Sequence, residues 1–151
     1  PLPGCLDLLL KKNLLKKAKS DKLAKVRRAV LEFPDVQEVL KAAAPTLKQH
    51  FEAKVKTDTS VMTTGKTLAM GMNAFCDDLV DRGVTKDITV KPTPAVKGMV
   101  PPDVHSNLSW LDCKGAFVTG QKADEKDADR LTIDFAEFLT ILALCGHIKY
   151  E

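Results

Sequence analysis

The stretch Leu131 to Leu139 reads Leu-Thr-Ile-Asp-Phe-Ala-Glu-Phe-Leu, and it decides how the rest of the chain is interpreted. Two acids, Asp134 and Glu137, stand where a helix is predicted to begin, directly after the β-branched Ile133. The helix itself follows from apolar spacing, with Phe135, Phe138, Leu139, Ile141, Leu142 and Cys145 on one broad face. The sequence therefore predicts a short extended segment that runs at once into a buried helix from Phe135 to Lys149.

This order resembles the second half of an EF-hand calcium loop, in which an isoleucine at position eight precedes an acid near position nine and a glutamate at position twelve. Counting back from Glu137 puts Lys126, Ala128 and Arg130 at the first three ligand positions, and Leu131 where the turn glycine belongs. Calcium takes about six to eight oxygen ligands, so these residues would bring positive charge to the ion in place of oxygen. We expect a loop that keeps the EF-hand scaffold without the ion, and no cofactor.

An alternative is an irregular calcium loop. Asp124, Asp127 and Asp129 lie close by in the sequence but out of register with the ligand positions. A shorter loop could recruit them, which would make the chain a calcium-responsive regulator similar to a light chain. If a metal ion does bind, the residues that would hold it are Asp127, Asp129, Asp134 and Glu137.

The first half of the chain repeats the pattern of helix, loop and helix. A helix is predicted from Pro34 onward, and Pro45 either kinks it or splits it in two. A short strand is predicted at Val61-Met62-Thr63, and the next helix ends near Arg82-Gly83. The apolar spacing behind these helices comes from Val36, Val39, Leu40, Ala43, Leu47, Phe51 and Val55, and then from Leu68, Met72, Phe75, Leu79 and Val80. In this first loop Asp58 is the only acid, and Lys66 falls at position twelve when the loop is aligned on Met62.

The predicted fold class is all-α: a pair of EF-hand-like helix-loop-helix units with short β-pairing between their loops, plus an N-terminal basic amphipathic helix. The pairing strands would be Val61-Met62-Thr63 and Leu131-Thr132-Ile133, because one unit alone would leave its apolar face uncovered. The predicted boundaries are an arm at 1–33 and a paired domain at 34–151. That domain divides into a first unit (34–86), a proline-rich linker (87–105) and a second unit (106–151), whose first helix would begin at Ser106 or Asn107.

The arm carries most of the positive charge. Residues 1–31 have a net charge of +7 and residues 32–151 a net charge of −4. The basic residues alternate with leucines, and we expect them to bind a partner: Lys11, Lys12, Lys16, Lys17, Lys19, Lys22, Lys25, Arg27 and Arg28. An acidic protein surface, a lipid surface and the chain's own folded domain would each suit such a helix. Nucleic acid is not expected, because no binding motif or interleaved aromatic residues accompany the charge.

The stretch from about Leu47 to Tyr150 resembles the divergent, ligand-poor EF-hand domains of flagellar and other microtubule-associated proteins. The residues that carry the resemblance are 61–63, 75–84, 131–139 and 148–150. The order is also loosely similar to the tubulin polymerisation-promoting protein family. The resemblance implies a non-enzymatic structural or adaptor protein of a larger cytoplasmic assembly, with protein subunits or tubulin as partners, located in the cytoskeleton of a cilium or flagellar axoneme.

Other constellations give weaker signals. Cys5, Cys76, Cys113 and Cys145 are scattered without a C-x-x-C pair, which favours reduced packing thiols over a zinc site with His50, His105 or His147. Asp77, Asp78 and Asp81 are expected on a solvated helix face, and Trp110 is expected in the core. We find no catalytic residues: neighbours such as Cys145 and His147 lack the opposition that a nucleophile and its base require. No apolar run is long enough to span a membrane.

Overall fold

The computed structural model describes residues 22–58, 68–91, 102–121 and 131–150. The helices within these ranges are α1 (Lys22–Glu32), α2 (Pro34–Thr57), α3 (Met72–Asp81), α4 (Trp110–Gly120) and α5 (Phe135–Tyr150). The strands there are β1 (Met70–Gly71), β2 (Ile88–Val90), β3 (Val104–Ser106) and β4 (Thr132–Ile133). Helices therefore dominate the fold, which confirms the predicted all-α class.

Proline and glycine set the helix ends where local chemistry requires it. Phe33 is extended between α1 and α2, and Pro34 occupies the first turn of α2, where its missing N–H costs nothing. Pro45 lies inside α2, which stays one helix, so the splitting alternative is wrong. Gly83, with a φ of 71°, ends α3. Its N–H donates to the carbonyl of Val80, and the next N–H donates to that of Leu79, which completes a Schellman motif.

The loop strands β1 and β4 pair in antiparallel register, with Met70 opposite Ile133 and Gly71 opposite Thr132. The prediction that Ile133 lies in a short paired strand is confirmed. The partner strand is different from the predicted one, since Val61-Met62-Thr63 lies outside the described residues and β4 pairs with Met70–Gly71. The pairing joins the segment before α3 to the segment before α5.

A second antiparallel pair, β2 with β3, joins the two ends of the predicted proline-rich linker. Ile88 pairs with Ser106, Thr89 with His105 and Val90 with Val104. The apolar pattern of the sequence does not predict this ribbon. The prolines of the predicted linker, at positions 92, 94, 101 and 102, all fall in sequence between the two strands.

Four phenylalanines from four helices form the centre of the core. The rings of Phe51 and Phe138 lie 5.2 Å apart, and the ring of Phe75 lies 5.8 Å from Phe117 and 6.0 Å from Phe138. All four side chains are buried. Because each helix from α2 to α5 contributes one ring, separating any of the four helices would break aromatic contacts worth ~0.5–1.5 kcal/mol each beyond the buried area.

The described part of the predicted arm, residues 22–33, belongs to this same fold. Helix α1 packs against α4 and α5 as well as α2, Val30 is buried, and Val26 packs against the core. The side chain of Gln37 donates a 2.9 Å hydrogen bond to the carbonyl of Val30, which ties the end of α1 to the first turn of α2. The predicted boundary at residue 33 therefore falls between two helices, α1 and α2, that pack into the same core.

Helix α4 begins later and faces differently from the prediction. Ser109, rather than Ser106 or Asn107, is the N-cap, and it forms a capping box with Asp112. Trp110 was expected in the core but is 43% exposed, and the ammonium of Lys114 lies 3.7 Å from its ring centroid. Leu111 is 74% exposed. The face of α4 that packs inward is set by Cys113, Ala116, Phe117 and Gly120.

Candidate functional site

The second loop is closed by a capping box at the start of α5. The N–H of Asp134 donates to Glu137 Oε2 at 2.9 Å, and the N–H of Glu137 donates to Asp134 Oδ1 at 2.8 Å. Glu137 is only 2% exposed. Both acids that the sequence analysis placed at ligand positions nine and twelve therefore satisfy backbone donors of the helix start, which otherwise have no partner within the helix.

The base of each loop is held by a side chain from the end of the preceding helix. Asp58, the C-cap of α2, accepts a 2.8 Å hydrogen bond from the N–H of Gly71, the N-cap of α3. Gln121, the C-cap of α4, donates a 3.2 Å bond from Nε2 to the carbonyl of Thr132. The two contacts are equivalent in position, because each one joins the entrance of a loop to its paired strand.

The β1–β4 register changes which residue of the first loop falls at position twelve of the EF-hand pattern. Since Met70 lies opposite Ile133, the residue that corresponds to Glu137 is Ala74, not Lys66. Alanine offers no side-chain oxygen at the closing position. The closing position of the first loop therefore lacks a side-chain oxygen in the observed register, as it does in the predicted one.

Within the described residues no group of three or more His, Cys, Asp or Glu side chains is placed to hold a metal ion. Asp127 and Asp129, named as possible ligands with Asp134 and Glu137, lie outside the described ranges, as does Asp124. For the zinc alternative, Cys5 also lies outside them, His50 contacts Asp78, and His105 Nδ1 lies 3.2 Å from Thr89 Oγ1. The irregular calcium loop stays a prediction.

A polar cluster that sequence reasoning missed joins α2 to α3. Asp78 was expected on a solvated face but is buried, with His50 Nε2 at 2.6 Å and Lys54 Nζ at 3.0 Å from its carboxylate oxygens. Arg82 Nε lies 3.3 Å from the same carboxylate, and Arg82 Nη2 lies 2.7 Å from His50 Nδ1. We call these four residues the Asp78 cluster.

The hydrogen bonds of the Asp78 cluster specify its protonation pattern. A guanidinium can only donate, so His50 Nδ1 accepts from Arg82, and Nε2–H donates to Asp78. Burial opposes ionisation of Asp78, but hydrogen bonds from His50 and Lys54 outweigh it and hold the pKa of this carboxyl below its usual value. The cluster therefore fixes α2 against α3 with a charged, internally satisfied network. Asp78 sits at the edge of the apolar face formed by Phe75 and Leu79, which is the one sequence signal that could have indicated its burial.

A buried lysine holds the end of α5. Lys149 is 5% exposed, and its ammonium donates to the carbonyls of Val84 and Lys86, the latter at 3.1 Å. The hydroxyl of Ser106 donates to the carbonyl of Lys149. Lys149 therefore links α5 to the turn after α3 and to β3.

The three described cysteines are buried and not joined by disulfides. Burial raises the pKa of the Cys76 thiol to about 11. A hydrogen bond to Cys113, together with burial, raises the pKa of Cys145 well above its usual value. The hydrogen bond with Cys145 lowers the pKa of Cys113, whose side chain is fully buried. The raised pKa values of Cys76 and Cys145, and the burial of all three thiols, make them poor nucleophiles.

The predicted partner-binding residues divide into three groups. Lys11, Lys12, Lys16, Lys17 and Lys19 lie outside the described residues. Lys22, Lys25, Arg27 and Arg28 lie in α1, where Lys25 and Arg28 are exposed. Arg27 is half-buried, and its Nε is buried without a hydrogen-bond partner among the residues that the structure describes. Within α1, Lys25 and Arg28 are therefore the side chains best placed to reach a partner.

An exposed apolar groove runs between α2 and α5, beside the end of α1. One hollow of about 400 Å³ is lined by Asp35, Val36, Val39, Leu40 and Ala143. A second, of about 230 Å³, shares Leu40 and adds Leu31, Gln37, Lys41, Ala44, Ala136, Leu139 and Thr140. Val39 is 67% exposed and Leu31 49%. We call this surface the α2–α5 groove.

None of the helices in the described ranges is both long and apolar enough to cross a membrane. Comparisons of the chain with protein-family models, with curated proteins and with solved structures found no match.

Proposed function

We propose that this chain is a non-enzymatic adaptor whose EF-hand-like pair works without calcium, as a rigid body within a larger protein assembly. The observation that carries the proposal is the closure of both loops by the chain's own groups. Asp58 and Gln121 hold the loop bases, and Asp134 and Glu137 cap α5. A loop closed in this way needs no ion to position its strand.

The loop chemistry supports calcium independence. An EF-hand loop is organised by oxygen ligands, above all a bidentate glutamate at position twelve. In this chain the first loop has Ala74 in that register position, and the second has Lys126, Ala128 and Arg130 at the first three ligand positions. The β1–β4 pair and the phenylalanine core keep the two units together by packing instead.

Calorimetric titration with calcium, paired with thermal unfolding, tests calcium independence. We expect no heat of binding up to millimolar calcium and no change in Tm. Glu137→Ala should lower stability by about 0.5–2 kcal/mol, because it removes half of the capping box. Glu137→Gln keeps a hydrogen-bond acceptor at that position and should lower stability much less.

Two outcomes would contradict calcium independence. One is a rise in Tm on adding calcium that Glu137→Gln abolishes. The other is a Glu137→Ala penalty that appears only when calcium is present. Either would favour the calcium-responsive regulator, with Asp127, Asp129, Asp134 and Glu137 as ligands.

For the partner, we propose an acidic protein surface in the cytoskeleton, with the tubulin tails of ciliary or flagellar microtubules as the leading candidate. The exposed Lys25 and Arg28, together with the basic residues before them, support an electrostatic contact of this kind. Cosedimentation with microtubules should occur at low salt and weaken as salt is raised, since exposed charges are screened over ~10 Å at 0.1 M.

A matched pair of variants tests this assignment. The double variant Lys25→Glu with Arg28→Glu should reduce cosedimentation several-fold. Lys48→Glu, an exposed lysine on α2, should leave it close to wild type. Absence of cosedimentation at low salt would eliminate the tubulin assignment and leave the adaptor proposal to be tested with other acidic proteins.

A further inference from the structure

His50 lies between a carboxylate and a guanidinium in the Asp78 cluster. Its Nε2 is 2.6 Å from Asp78 Oδ2, and its Nδ1 is 2.7 Å from Arg82 Nη2. Both ring nitrogens therefore contact α3, while the side chain as a whole is 19% exposed to solvent. Histidine is the side chain whose charge ordinarily changes between about pH 5 and 8. A proton that binds His50 therefore enters a network in which one neighbour accepts hydrogen bonds and the other donates them.

The two contacts of His50 respond to a proton in opposite ways. Nε2 carries a hydrogen in both the neutral and the protonated ring, so it donates to Asp78 in either state. Nδ1 accepts from Arg82 only while its lone pair is free. A guanidinium has donors alone and a permanent positive charge, so protonation would set two N–H groups and two positive charges against each other across 2.7 Å. The contact between His50 and Arg82 cannot persist in that state.

The charged groups around His50 in the described residues leave Arg82 as the one that must move. Lys54, one turn further along α2, contacts the other carboxylate oxygen of Asp78 at 3.0 Å. The described parts of α1, α5 and β1 also pack against α2, but they place no charged side chain within hydrogen-bond distance of the imidazole. Burial raises the pKa of Asp78, but hydrogen bonds from His50 and Lys54 outweigh it and hold that pKa below its usual value, so the carboxylate is still ionised at about pH 5. The protonated imidazole therefore keeps Asp78 and loses Arg82.

The side chain of Arg82 can leave without any change in the backbone. It is 54% exposed, so solvent is directly accessible to the guanidinium. Arg82 is the C-cap of α3, and its N–H donates to the carbonyl of Asp78 at 3.1 Å. Gly83 follows with a φ of 71°, in the turn that ends the helix. Because these backbone contacts hold the end of α3, loss of the contact with His50 releases only the side chain.

We propose that the His50–Arg82 contact is a pH-sensitive switch between α2 and α3. The contact is closed while His50 is neutral and opens when a proton from solvent binds the lone pair of Nδ1. The bond that forms is Nδ1–H, and the contact that breaks is the hydrogen bond from Arg82. Asp78 still accepts from His50 and Lys54, so the two helices stay joined. No residue of either loop takes part, so the switch goes beyond the adaptor function and is tested separately from it.

A double-mutant cycle at two pH values tests the switch. His50→Gln keeps a donor toward Asp78 but has no acceptor in the place of Nδ1, and Arg82→Met keeps the apolar stem without its donors. Urea unfolding of the wild type, the two single variants and the double variant measures the coupling between the two positions. At about pH 8 the coupling should favour folding by at least about threefold in the unfolding equilibrium constant. At about pH 5 it should fall to about one or become unfavourable.

A matched cycle provides the control. Lys48 is exposed and lies on the same helix as His50. Lys48→Met in place of Arg82→Met should give a coupling factor of about one at both pH values.

Nuclear magnetic resonance on the unmodified chain is an independent measurement that does not depend on how the variants fold. Long-range proton–nitrogen spectra should show hydrogen on Nε2 alone at about pH 8 and on both ring nitrogens of His50 at about pH 5. The order parameter of the Arg82 Nε–H group should fall over the same interval as the side chain is released. Arg28, an exposed arginine on α1, should keep the same order parameter throughout.

Three results would overturn the proposal. Hydrogen on Nδ1 at about pH 8 would contradict the closed state. An imidazole that stays neutral at about pH 5 would remove the proton that opens the contact. A coupling factor and an Arg82 order parameter that are the same at both pH values would show that Arg82 stays when His50 is protonated. Each of these results would leave the calcium test of the adaptor function unaffected.

Discussion

Replacing Asp78 by asparagine tests whether the Asp78 cluster holds α2 against α3. Asn is nearly isosteric with Asp and keeps one acceptor oxygen, so the variant removes the charge while changing little else. His50, Lys54 and Arg82 would then surround a neutral amide, and their hydrogen bonds to it would lose the assistance of the carboxylate charge. Folding should therefore become less favourable.

The magnitude follows from the exposure of the partners. Breaking a fully buried ion pair costs ~3–5 kcal/mol. The side chain of Asp78 is 5% exposed, but those of His50, Lys54 and Arg82 are 19%, 33% and 54% exposed, so water relieves part of the loss. We expect Asp78→Asn to lower the free energy of unfolding by ~2–3 kcal/mol, and Tm by roughly 4–12 °C for a chain of this size.

Urea unfolding followed by circular dichroism at pH 7 measures this loss. Asp77→Asn is the control, because Asp77 precedes Asp78 on the same helix and is exposed. That variant should stay within about 0.5 kcal/mol of wild type. If Asp78→Asn stayed within the same limit, the cluster would not hold the two helices together, and the reasoning would fail.

The same comparison at lower pH gives a second check with a definite sign. The folded-state pKa of Asp78 is lowered, so the carboxylate contributes stability that is fully present above its unfolded pKa of about 3.9 and is lost as pH falls through the folded value. The gap between wild type and Asp78→Asn should narrow as the pH falls below about 4. A gap that grows below about pH 4 would contradict the assignment.

Three further predictions follow from packing. Lys149→Met should lower the free energy of unfolding by ~1–3 kcal/mol, because two backbone carbonyls lose a charged donor. Lys48→Met, at an exposed site, should have little effect. Urea unfolding measures both variants. Gly120→Ala should destabilise the fold, because a Cβ at this position would lie 2.2 Å from Ile141 Cγ1. Gly115→Ala in the same helix meets no atom within 4 Å and should stabilise the fold by ~0.5–1 kcal/mol. The Tm values of the two variants should therefore move in opposite directions. With Cys5 replaced by serine, the native chain should react slowly with Ellman's reagent, and the unfolded chain should show three reactive thiols. Fast labelling of the native chain would contradict the burial of Cys76, Cys113 and Cys145.

Local chemistry explains what was predictable. Pro34 and Gly83 act through their own backbone conformations, so the start of α2 and the end of α3 followed from single residues. Ile133, Asp134 and Glu137 likewise act within one turn of each other, and a strand followed by a capped helix is what the structure has there.

Predictions that depended on distant partners failed. The strand opposite Ile133 could not be found by apolar pattern alone, because Val61-Met62-Thr63 looks as suitable as Met70–Gly71. Asp78 looked solvated because its partner His50 lies 28 residues away. Trp110 was expected in the core because it lies at helical spacing from Phe117, but it is exposed while Phe117 is buried. The α2–α5 groove also depends on how α1, α2 and α5 pack, which no single stretch of sequence encodes.

The β2–β3 ribbon separates the length of one chain segment from the shape of the protein. Because Val90 pairs with Val104, the two ends of the segment between them lie next to each other, ~5 Å apart. The stretch between them can therefore grow or shrink without changing the spacing of the helix pairs, and each doubling of its length costs only ~0.6 kcal/mol in loop closure. An affinity tag or a fluorescent domain inserted between Val90 and Val104 should therefore leave the spacing of the helices unchanged.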